Sequence, residues 1–405
     1  MKYDVKIMNE ESIVYWAPPN EISALKNTQK NMITNNLIKT RLILEKILDN
    51  IKPGDKVGVK VHVGEAYNTR YLRHDYVHEV VDYIKKLGGH PTLIETQGLG
   101  MKVHHLKMSE DHVIELGVRK TEEEHAKIAN LHGYSESVIG APLKFIDGKK
   151  GIDGKIVPIS GLQLKDVSVA TGLFEFDKLV IISHFKGHGA AAFGGALKQL
   201  GIGCVTKRNK FRAHFDKIEI KRKCHSSKCE MQCVEACPVN AIKIENEKAV
   251  IDEEICVECI SCIERCKIKR AIGADWVEFD QFIERFIDNA LGVVNAFGPE
   301  KIRYINFAFD VVLNCDCVPN PGTPVVPDLG IFGSKDPVAV DKACIDAETN
   351  APGIPIMEED GNWKTPIKKG VEKFYALFPT SKTNWQLEAA VKNKLGTLNY
   401  NLIKI

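Results

Sequence analysis

The spacing of the cysteines constrains this chain more than any other feature of its sequence. Eight of the twelve cysteines in the 405 residues lie between Cys224 and Cys266. They form two runs, Cys224-x4-Cys229-x3-Cys233-x3-Cys237-Pro238 and Cys256-x2-Cys259-x2-Cys262-x3-Cys266. Two-residue gaps allow three thiolates to surround one cuboidal iron–sulfur cluster. Zinc instead favours paired C-x2-C knuckles with four ligands per ion, so it suits these runs less well.

The two runs also share features beyond their cysteines. Pro-Val-Asn-Ala-Ile follows Cys237, Lys-Ile-Lys-Arg-Ala-Ile follows Cys266, and Ile242–Ile251 is typical of a hairpin turning near Asn246–Glu247. This segment resembles the bacterial-type two-[4Fe-4S] ferredoxin. The resemblance implies two [4Fe-4S] clusters, with a crossed set of ligands. One cluster would take Cys237, Cys256, Cys259 and Cys262, and the other Cys224, Cys229, Cys233 and Cys266.

The first run departs from the ferredoxin pattern, because its opening gaps are wider than two residues. A wider loop changes the surroundings of the iron. Whether the cluster of Cys224, Cys229, Cys233 and Cys266 is a complete cubane therefore stays open.

The remainder of the chain alternates strand and helix patterns. The valine-rich Asp55–Val63 predicts a buried strand, Asp75–Leu87 a helix that stops at Gly88–Gly89, and Pro91–Glu95 the next strand. Strand, helix and strand in this order form a βαβ unit, which implies a parallel sheet. Further strands are predicted at Asp177–Ser183 and Lys301–Val312, and further helices at Thr121–Leu131, Ala196–Leu200, Phe279–Ala296 and Asp336–Glu348.

The α/β pattern resumes after the cysteines, which indicates an insertion. We expect an α/β fold, a mostly parallel sheet with helices on both faces, interrupted by a small α+β ferredoxin-like insert. The predicted division is 1–220 and 273–405 for the α/β body and 221–272 for the insert, here called the cysteine module.

Composition excludes several classes of partner. The formal net charge is +2, so no global field attracts nucleic acid. The N-terminus lacks the apolar stretch of a secretory signal, and no apolar run has the length of a membrane span. We therefore expect a cytoplasmic protein without a nucleic-acid or membrane partner, in which clustered cysteines bind metal rather than form disulfides.

The stretch from Ser183 to Cys204 is the most unusual one outside the cysteine runs. A predicted strand leads into a glycine-rich loop and then into a helix, so backbone N–H groups near Gly194 and Gly195 could receive an anion. The loop matches neither the P-loop nor the dinucleotide-binding pattern. His184, Lys186, His188 and Lys198 are candidate acid–base or charge-stabilising groups. Glycine-rich packing without a ligand is the alternative.

Several stretches resemble domain-of-unknown-function family 362, in its subset with an inserted ferredoxin domain. They are Lys60-Val-His62-Val-Gly64-Glu65, SHFKGH and FGGALKQLGIGC at 183–204, Asn314-Cys315-Asp316-Cys317, Pro327-Asp328-Leu-Gly330 and Ser334-Lys-Asp336-Pro337-Val-Ala-Val-Asp341. The resemblance implies a 4Fe-4S protein with an α/β body, and it implies no reaction.

Polar residues in the matching stretches suggest a single cleft. Lys60, His62 and Glu65 follow one predicted parallel strand, and His184, Lys186 and His188 follow another. Ligands of open α/β sheets gather at the carboxyl ends of strands. We therefore expect both sets in one cleft, with Asp316, Asp328, Asp336 and Asp341 nearby. Lys60, His62, His184, Lys186 and His188 are the candidate catalytic residues, and Gly194, Gly195 and Lys198 the candidate cofactor-binding ones.

The other cysteines give a weaker signal. A C-x-C pair such as Cys315 and Cys317 can bind metal, but buried free thiols are the favoured interpretation. Cys204 and Cys344 are expected in the core.

These observations predict an oxidoreductase that relays electrons through two 4Fe-4S clusters to a site in the α/β body. A redox partner protein and an anionic small-molecule ligand are the expected partners. A flavin or a divalent ion could serve as an additional cofactor, but no sequence motif supports either one. Two alternatives stay open: a non-enzymatic ferredoxin-like carrier or redox subunit, and an enzyme acting on an anionic small molecule in which the clusters are only structural.

Overall fold

A computed structural model provides the fold. It describes residues 11–19, 35–100, 104–107, 109, 113–116, 119–268, 270–358, 360–380 and 382–405.

The strands of the described residues are numbered in chain order. They are β1 (Ser12–Ala17), β2 (Lys56–Lys60), β3 (His90–Glu95), β4 (His104–Lys107), β5 (Val113–Leu116), β6 (Leu143–Phe145), β7 (Gly154–Pro158), β8 (Asp166–Ala170), β9 (Lys178–His184), β10 (Lys186–His188), β11 (Ala192–Gly194), β12 (Glu219–Ile220), β13 (Ile242–Glu245), β14 (Lys248–Ile251), β15 (Ile272–Gly273), β16 (Ile302–Ala308), β17 (Gly330–Ser334), β18 (Ile356–Met357), β19 (Trp363–Lys364) and β20 (Tyr400–Lys404).

The helices are numbered in the same way. They are α1 (Asn36–Ile47), α2 (His74–Lys86), α3 (Glu122–Leu131), α4 (Glu136–Ile139), α5 (Ala196–Gly201), α6 (Lys207–His214), α7 (Gln232–Glu235), α8 (Ser261–Arg265), α9 (Phe279–Phe297), α10 (Pro337–Asn350), α11 (Lys373–Leu377) and α12 (Thr383–Lys392). Short 3-10 turns occur at Thr171–Glu175, Ser226–Lys228 and Pro299–Lys301.

One mixed sheet of eight strands organises the body. Its order is β20-β1-β17-β16-β9-β2-β3-β6. Strand β17 is antiparallel to its neighbours β1 and β16, whereas the other neighbouring pairs are parallel. The sheet is therefore mostly parallel, as the βαβ pattern predicts.

Helices cover both faces of this sheet. Leu179 and Ile181 of β9 face one apolar core, to which α5, α9 and α10 contribute, while Val180 and Ile182 face the other, to which α1 and α2 contribute. Strands buried on both faces need apolar side chains at consecutive positions. This double burial explains the continuous apolar run of β9. The α/β fold expected from the sequence is confirmed.

Residues 221–272 fold as a compact unit beside the body. Strands β13 and β14 form a hairpin in which Asn246 and Glu247 have positive φ, at the turn expected from the sequence. Glu219 pairs with Gly273 and Ile220 with Ile272, so β12 and β15 bring the two ends of the unit together. The domain boundaries themselves stay a prediction.

The structure differs from the sequence-based expectations at two elements of the body. Strand β16 ends at Ala308, four residues before the predicted Val312, because the chain there turns at Asp310, whose φ is positive. The predicted loop between β9 and α5 contains the hairpin β10–β11, in which Lys186 pairs with Gly194. Within the described residues, no helix is both long and apolar enough to cross a lipid bilayer.

Candidate functional site

A cleft opens at the carboxyl ends of β2, β3 and β9, which are neighbours in the sheet. Its volume is about 210 Å³. We call it the charged cleft, because of the side chains that line it. These include His62, Glu95, Arg119, His184, Lys186, His188, Lys198, Lys210, His214, Cys315 and Cys317, and the backbone at Gly194 and Gly195. His62 after β2 and the residues His184, Lys186 and His188 at and after the end of β9 thus line the same space, whereas Lys60 and Glu65 are buried and do not line it.

A buried triad of Lys60, Glu95 and His62 forms one wall of the charged cleft. The Lys60 Nζ lies 2.7 Å from Glu95 Oε1, and His62 Nδ1 lies 3.1 Å from Glu95 Oε2. Burial alone would raise the pKa of Glu95, but Lys60 and His62 hold it well below its usual value. Lys60 is therefore a fully buried counter-ion inside the wall, whereas the His62 side chain keeps 22% exposure towards the cleft.

A second buried triad joins His184, Asp316 and Lys186. His184 Nδ1 lies 2.9 Å from an Asp316 carboxylate oxygen, and His184 Nε2 lies 2.8 Å from the Phe309 carbonyl oxygen. The Lys186 Nζ lies 3.2 Å from Asp316. Both ring nitrogens of His184 thus face oxygen atoms of the protein. Burial alone would raise the pKa of Asp316. The lowering by His184 and Lys186 is larger, so the net shift of this pKa is downward.

In this triad, the side chains of His184 and Lys186 bond to the protein itself, whereas an acid–base catalyst must face its ligand. The bonding capacity of His184 is directed at the protein's own oxygens, and Lys186 also donates to the His184 carbonyl at 3.0 Å. Proton transfer from either group would expose an uncompensated buried carboxylate. We therefore infer that His184 and Lys186 hold Asp316 and the cleft wall in place.

Arg119 lines the charged cleft, although no sequence pattern predicted it as a site residue. Its Nε lies 3.0 Å from Glu65 Oε2, and the Glu65 carboxylate also accepts a bond from the Ala66 amide. Arg119 precedes α3 in a stretch with no clear periodicity, so no pattern pointed to it. Glu95 could have been found, because it is the last residue of a predicted strand beside β2.

The first turn of α5 is already occupied by a carboxylate of the protein. Asp341 accepts hydrogen bonds from the Ala196 amide at 2.8 Å and from the Leu197 amide at 3.0 Å. A Cβ on Gly195 would lie 2.3 Å from Asp341 Oδ1, so only glycine allows this approach. The expectation that an external anion binds these amides is therefore corrected. Gly194, Gly195 and Lys198 still line the charged cleft.

The predicted aspartates separate into two groups. Asp316 lies in the wall of the charged cleft, and Asp341 lies behind Gly195. Asp336 instead caps α10 through the Val338 and Ala339 amides, and Asp328 accepts a bond from the Asp310 amide. Asp328 and Asp336 do not line the cleft, since both serve local backbone structure.

Cys315 and Cys317 lie at the charged cleft beside His188. The possible ligand atoms of these three residues lie within 4.8 Å of one another. Cys315 Sγ accepts from the Cys317 amide at 3.3 Å and lies 3.9 Å from Lys198 Nζ. Cys315 is buried, yet both sulfur-bearing side chains face the cleft rather than the apolar core. Cys204 and Cys344 are buried in the core, where they were expected.

In the cysteine module, Cys237, Cys256, Cys259 and Cys262 line one small cavity, together with the apolar side chains of Ile218, Val239, Ile242 and Ile251. We call these cysteines the Cys256 set. The Ala241 amide lies 3.1 Å from Cys237 Sγ and donates to it. Glu258 and Ile260, between the cysteines, have positive φ, so the chain curls tightly around the cavity. Converging thiols, amide donors to sulfur and an apolar wall fit a cuboidal cluster.

The other four cysteines, here the Cys224 set, also gather together. After burial, the thiols of Cys266, Cys224 and Cys229 are the neighbours that raise the pKa of Cys233. The Ala249 amide donates to Cys224 Sγ at 3.4 Å. Cys229 and Cys266 are partly exposed, whereas Cys224 and Cys233 are buried. The structure thus brings each of the two implied sets together, and their role as cluster ligands stays a prediction.

Helix α6 connects the cysteine module to the charged cleft. On one side, Phe211 and Phe215 pack against Ile260, which lies between two cysteines of the Cys256 set. Arg212 on α6 also forms an ion pair with Glu258 at 2.5 Å. On the other side, Lys210 and His214 line the charged cleft. Side chains of α6 thus pack against a residue between the cysteines on one side and line the charged cleft on the other.

Comparison with known proteins shows the family of this chain. The family model described as Domain of unknown function (DUF362) matches residues 57–346 of this chain, which is more than half of its length. The chain belongs to the DUF362 family. Its cysteine-rich part is similar to a protein named ferredoxin from Alicyclobacillus acidocaldarius subsp. acidocaldarius, with 34% identity over 55 residues. That match covers 13% of this DUF362 chain and 70% of the ferredoxin.

Two solved structures are distantly similar to this DUF362 protein. The lactate racemase apoprotein from Thermoanaerobacterium thermosaccharolyticum has a TM-score of 0.36 and 9% identity, over 76% of this chain and 53% of that one. A Thermotoga maritima protein has a TM-score of 0.33 and 14% identity, over 67% of this chain and 50% of that one. This chain thus spans about half the length of each, and scores this low carry no functional argument.

Proposed function

We propose that this DUF362 protein is an oxidoreductase whose cysteine module carries two [4Fe-4S] clusters and exchanges electrons with a ligand in the charged cleft. The similarity to a ferredoxin supports the iron–sulfur part. The observation that carries the proposal is the position of α6, which contacts Ile260 and Glu258, between the cysteines of the Cys256 set, on one side and lines the cleft on the other.

The Cys256 set would hold the cluster beside the body, and the Cys224 set the cluster away from it. Each bound cluster supplies a one-electron redox centre. Each set has two partly exposed cysteines, Cys229 and Cys266 in one and Cys237 and Cys256 in the other, through which an external redox protein could reach it. Ile260, between two cysteines of the Cys256 set, packs against α6, so we assign the exchange with the body to this set.

The charged cleft suits a small anionic ligand. Lys198 contributes a cationic head at its edge, and Arg119 presents a guanidinium that is only partly neutralised by Glu65. Burial lowers the pKa of His62 and of His188, in the second case with a contribution from Lys198. Both rings are therefore neutral at pH 7. Among the five predicted catalytic residues, we assign proton exchange with the ligand to His62 and His188, and positioning to Lys60, His184 and Lys186.

The proposal is tested by following reoxidation of the reduced protein. Anaerobic, dithionite-reduced protein is mixed with a panel of small oxidants that carry carboxylate or phosphate groups, and the return of visible absorbance is recorded. We expect saturable reoxidation by at least one of them. Lys198→Met should slow that reaction about tenfold at unchanged iron content, because it removes the cation at the edge of the cleft. Lys127→Met, on an exposed site of α3, is the matched control.

Identical rates in all three proteins would mean that electrons leave without using the charged cleft. The chain would then behave as a carrier. A protein that binds an anionic ligand in the cleft but whose clusters are never reoxidised by any ligand would favour a structural role of the clusters.

A further inference from the structure

Cys315 has the surroundings of a stabilised thiolate. Its sulfur accepts the Cys317 amide at 3.3 Å and lies 3.9 Å from the Lys198 ammonium. The hydrogen bond with Cys317 lowers the pKa of Cys315, and Lys198 and His188 lower it further against burial, to well below the ordinary value. The same contact and burial raise the pKa of Cys317. The contacts of the pair thus favour a thiolate on Cys315 and a thiol on Cys317.

The orientation of His188 favours a thiolate over a metal site. Its Nδ1 accepts hydrogen bonds from the Ala190 amide at 3.2 Å and from the Ala191 amide at 2.9 Å. The proton of the neutral ring therefore sits on Nε2, which lies 3.9 Å from Cys317 Sγ. A metal bound at Nε2 would force that proton to Nδ1, where it would face two amide donors. His188 is thus set to donate a hydrogen bond to sulfur.

We propose that Cys315 and Cys317 are a redox-active pair that exchanges with a small organic disulfide admitted to the charged cleft. This activity goes beyond the proposed electron relay and does not depend on it. The volume of about 210 Å³ admits a small disulfide, or one half of a larger one. Lys198 and the Cys317 amide stabilise the attacking Cys315 sulfur, and Cys317, whose sulfur lies 3.9 Å from His188 Nε2, is the resolving thiol.

The exchange has two steps. The Cys315 thiolate attacks one sulfur of the organic disulfide, forms a mixed disulfide and expels the other half as a thiolate. Cys317 then loses its proton to water and attacks the Cys315 sulfur, which closes the Cys315–Cys317 disulfide and releases the second thiolate. The organic disulfide gains the electron pair that the two cysteines lose, and one proton is released.

Trypsin provides a direct readout. Cleavage after Arg303 and Lys335 gives the peptide Tyr304–Lys335, which contains Cys315 and Cys317 and no other cysteine. Anaerobically purified full-length protein is treated with 2-hydroxyethyl disulfide, quenched in acid, alkylated in denaturant and digested. We expect this peptide to lose two hydrogens and to resist alkylation. Cys317→Ser should stop at the mixed disulfide on Cys315.

The order of alkylation tests the thiolate in the unmutated protein. At pH 6.5 an ordinary thiol is only about 1% ionised. Iodoacetamide should therefore label Cys315 at least about tenfold faster than Cys317 at this pH. Lys198→Met should slow the labelling of Cys315 about fivefold at pH 6.5 and little at pH 9.5, since it raises the pKa of that thiol. Lys127→Met should leave both rates unchanged.

Several neighbouring groups interact electrostatically with the Cys315 thiol, and all of them are retained in the Lys127→Met control. They are Cys317, Lys198, His188, Lys186, Asp316 and His62. The proposal is overturned if Cys317 is labelled before Cys315, or if excess disulfide leaves the peptide reduced. Protection of both thiols by equimolar Zn²⁺ alone would assign a metal site instead. Iron content does not enter these readouts, so a protein without clusters would refute only the electron relay.

Discussion

At the scale of single residues, the two histidines His62 and His184 show how similar sequence contexts lead to different roles. Both follow strands of the parallel sheet and both contact a buried carboxylate. His184 is enclosed with both ring nitrogens on protein oxygens, whereas His62 makes one bond to Glu95 and keeps 22% exposure. Exposure and free bonding capacity, rather than residue type, separate a group that can meet a ligand from one that holds the wall.

We expect His184→Phe to lower the free energy of unfolding by about 2–4 kcal/mol, since it leaves the buried Phe309 carbonyl without its donor and buried Asp316 with Lys186 as its remaining partner. His62→Phe should cost less than about 1.5 kcal/mol, because Lys60 and the Thr96 amide still bond Glu95. Anaerobic urea unfolding followed by circular dichroism measures both. Equal losses would contradict the positioning role of His184.

Glu348 predicts a pH dependence of stability away from the cleft. Burial, and then Glu372, raise the pKa of this carboxyl to about 7. A folded-state pKa above the unfolded one contributes stability that is present at low pH and is lost as the pH rises through about 7. The native protein should therefore lose about 1 kcal/mol from this group between pH 6 and pH 8.

Glu348→Gln removes that dependence. The amide oxygen can still accept from the Lys373 amide, which bonds Glu348 at 2.8 Å. We expect the stability of the variant relative to the native protein to increase by about 1 kcal/mol from pH 6 to pH 8, by urea unfolding at both pH values. Glu388→Gln, exposed on α12, is the control. A relative stability that does not increase over this range would show that the carboxylate is better compensated than its burial indicates.

At the scale of elements, the contact between α5 and α10 depends on a missing side chain. Asp341 on α10 reaches the first amides of α5 across the position where a Cβ of Gly195 would stand. Gly195→Ala should therefore displace Asp341 and cost about 1–3 kcal/mol of unfolding free energy. Gly273→Ala meets no atom within 4 Å and should change stability by less than about 0.5 kcal/mol. Equal unfolding midpoints for the two variants would refute this packing.

Periodicity and turn residues were sufficient to predict several of the long elements of the body. The valine-rich strand β2, the amphipathic α2 with glycines after its end, and α10 with proline in its first turn all lie within a few residues of their predicted bounds. The order of the strands in the sheet could not be predicted from periodicity and turn residues. Strands β1 and β20 pair across nearly the whole chain, and no local pattern encodes such a contact.

The site was predictable where residues follow strands and was missed elsewhere. His62, His184 and Lys186 were found because the ends of parallel strands meet. Arg119 was missed because it enters the cleft from an aperiodic stretch. The anion site at α5 was wrongly expected, because a sequence cannot show that Asp341, more than a hundred residues away, fills the helix end.

At the scale of the whole molecule, the cysteine module contacts the body through α6 and through the ion pair of Lys120 with Glu264. β12 and β15 close the base of the module, and α6 presents Phe211 to the Cys256 set while Lys210 faces the charged cleft. Loss of the Cys256 set should therefore disconnect the cleft from the remaining cysteines, whereas loss of the Cys224 set should not.

The most direct test is the amount of iron and acid-labile sulfide per chain in anaerobically purified protein, with low-temperature electron paramagnetic resonance after dithionite reduction. Two cubanes predict about eight iron and eight sulfide, with the magnetically coupled signals of neighbouring reduced clusters. Cys259→Ser and Cys229→Ser should each remove about half of the iron, and Cys344→Ser none. Zinc in place of iron, or iron unaffected by Cys259→Ser and Cys229→Ser, would contradict the account.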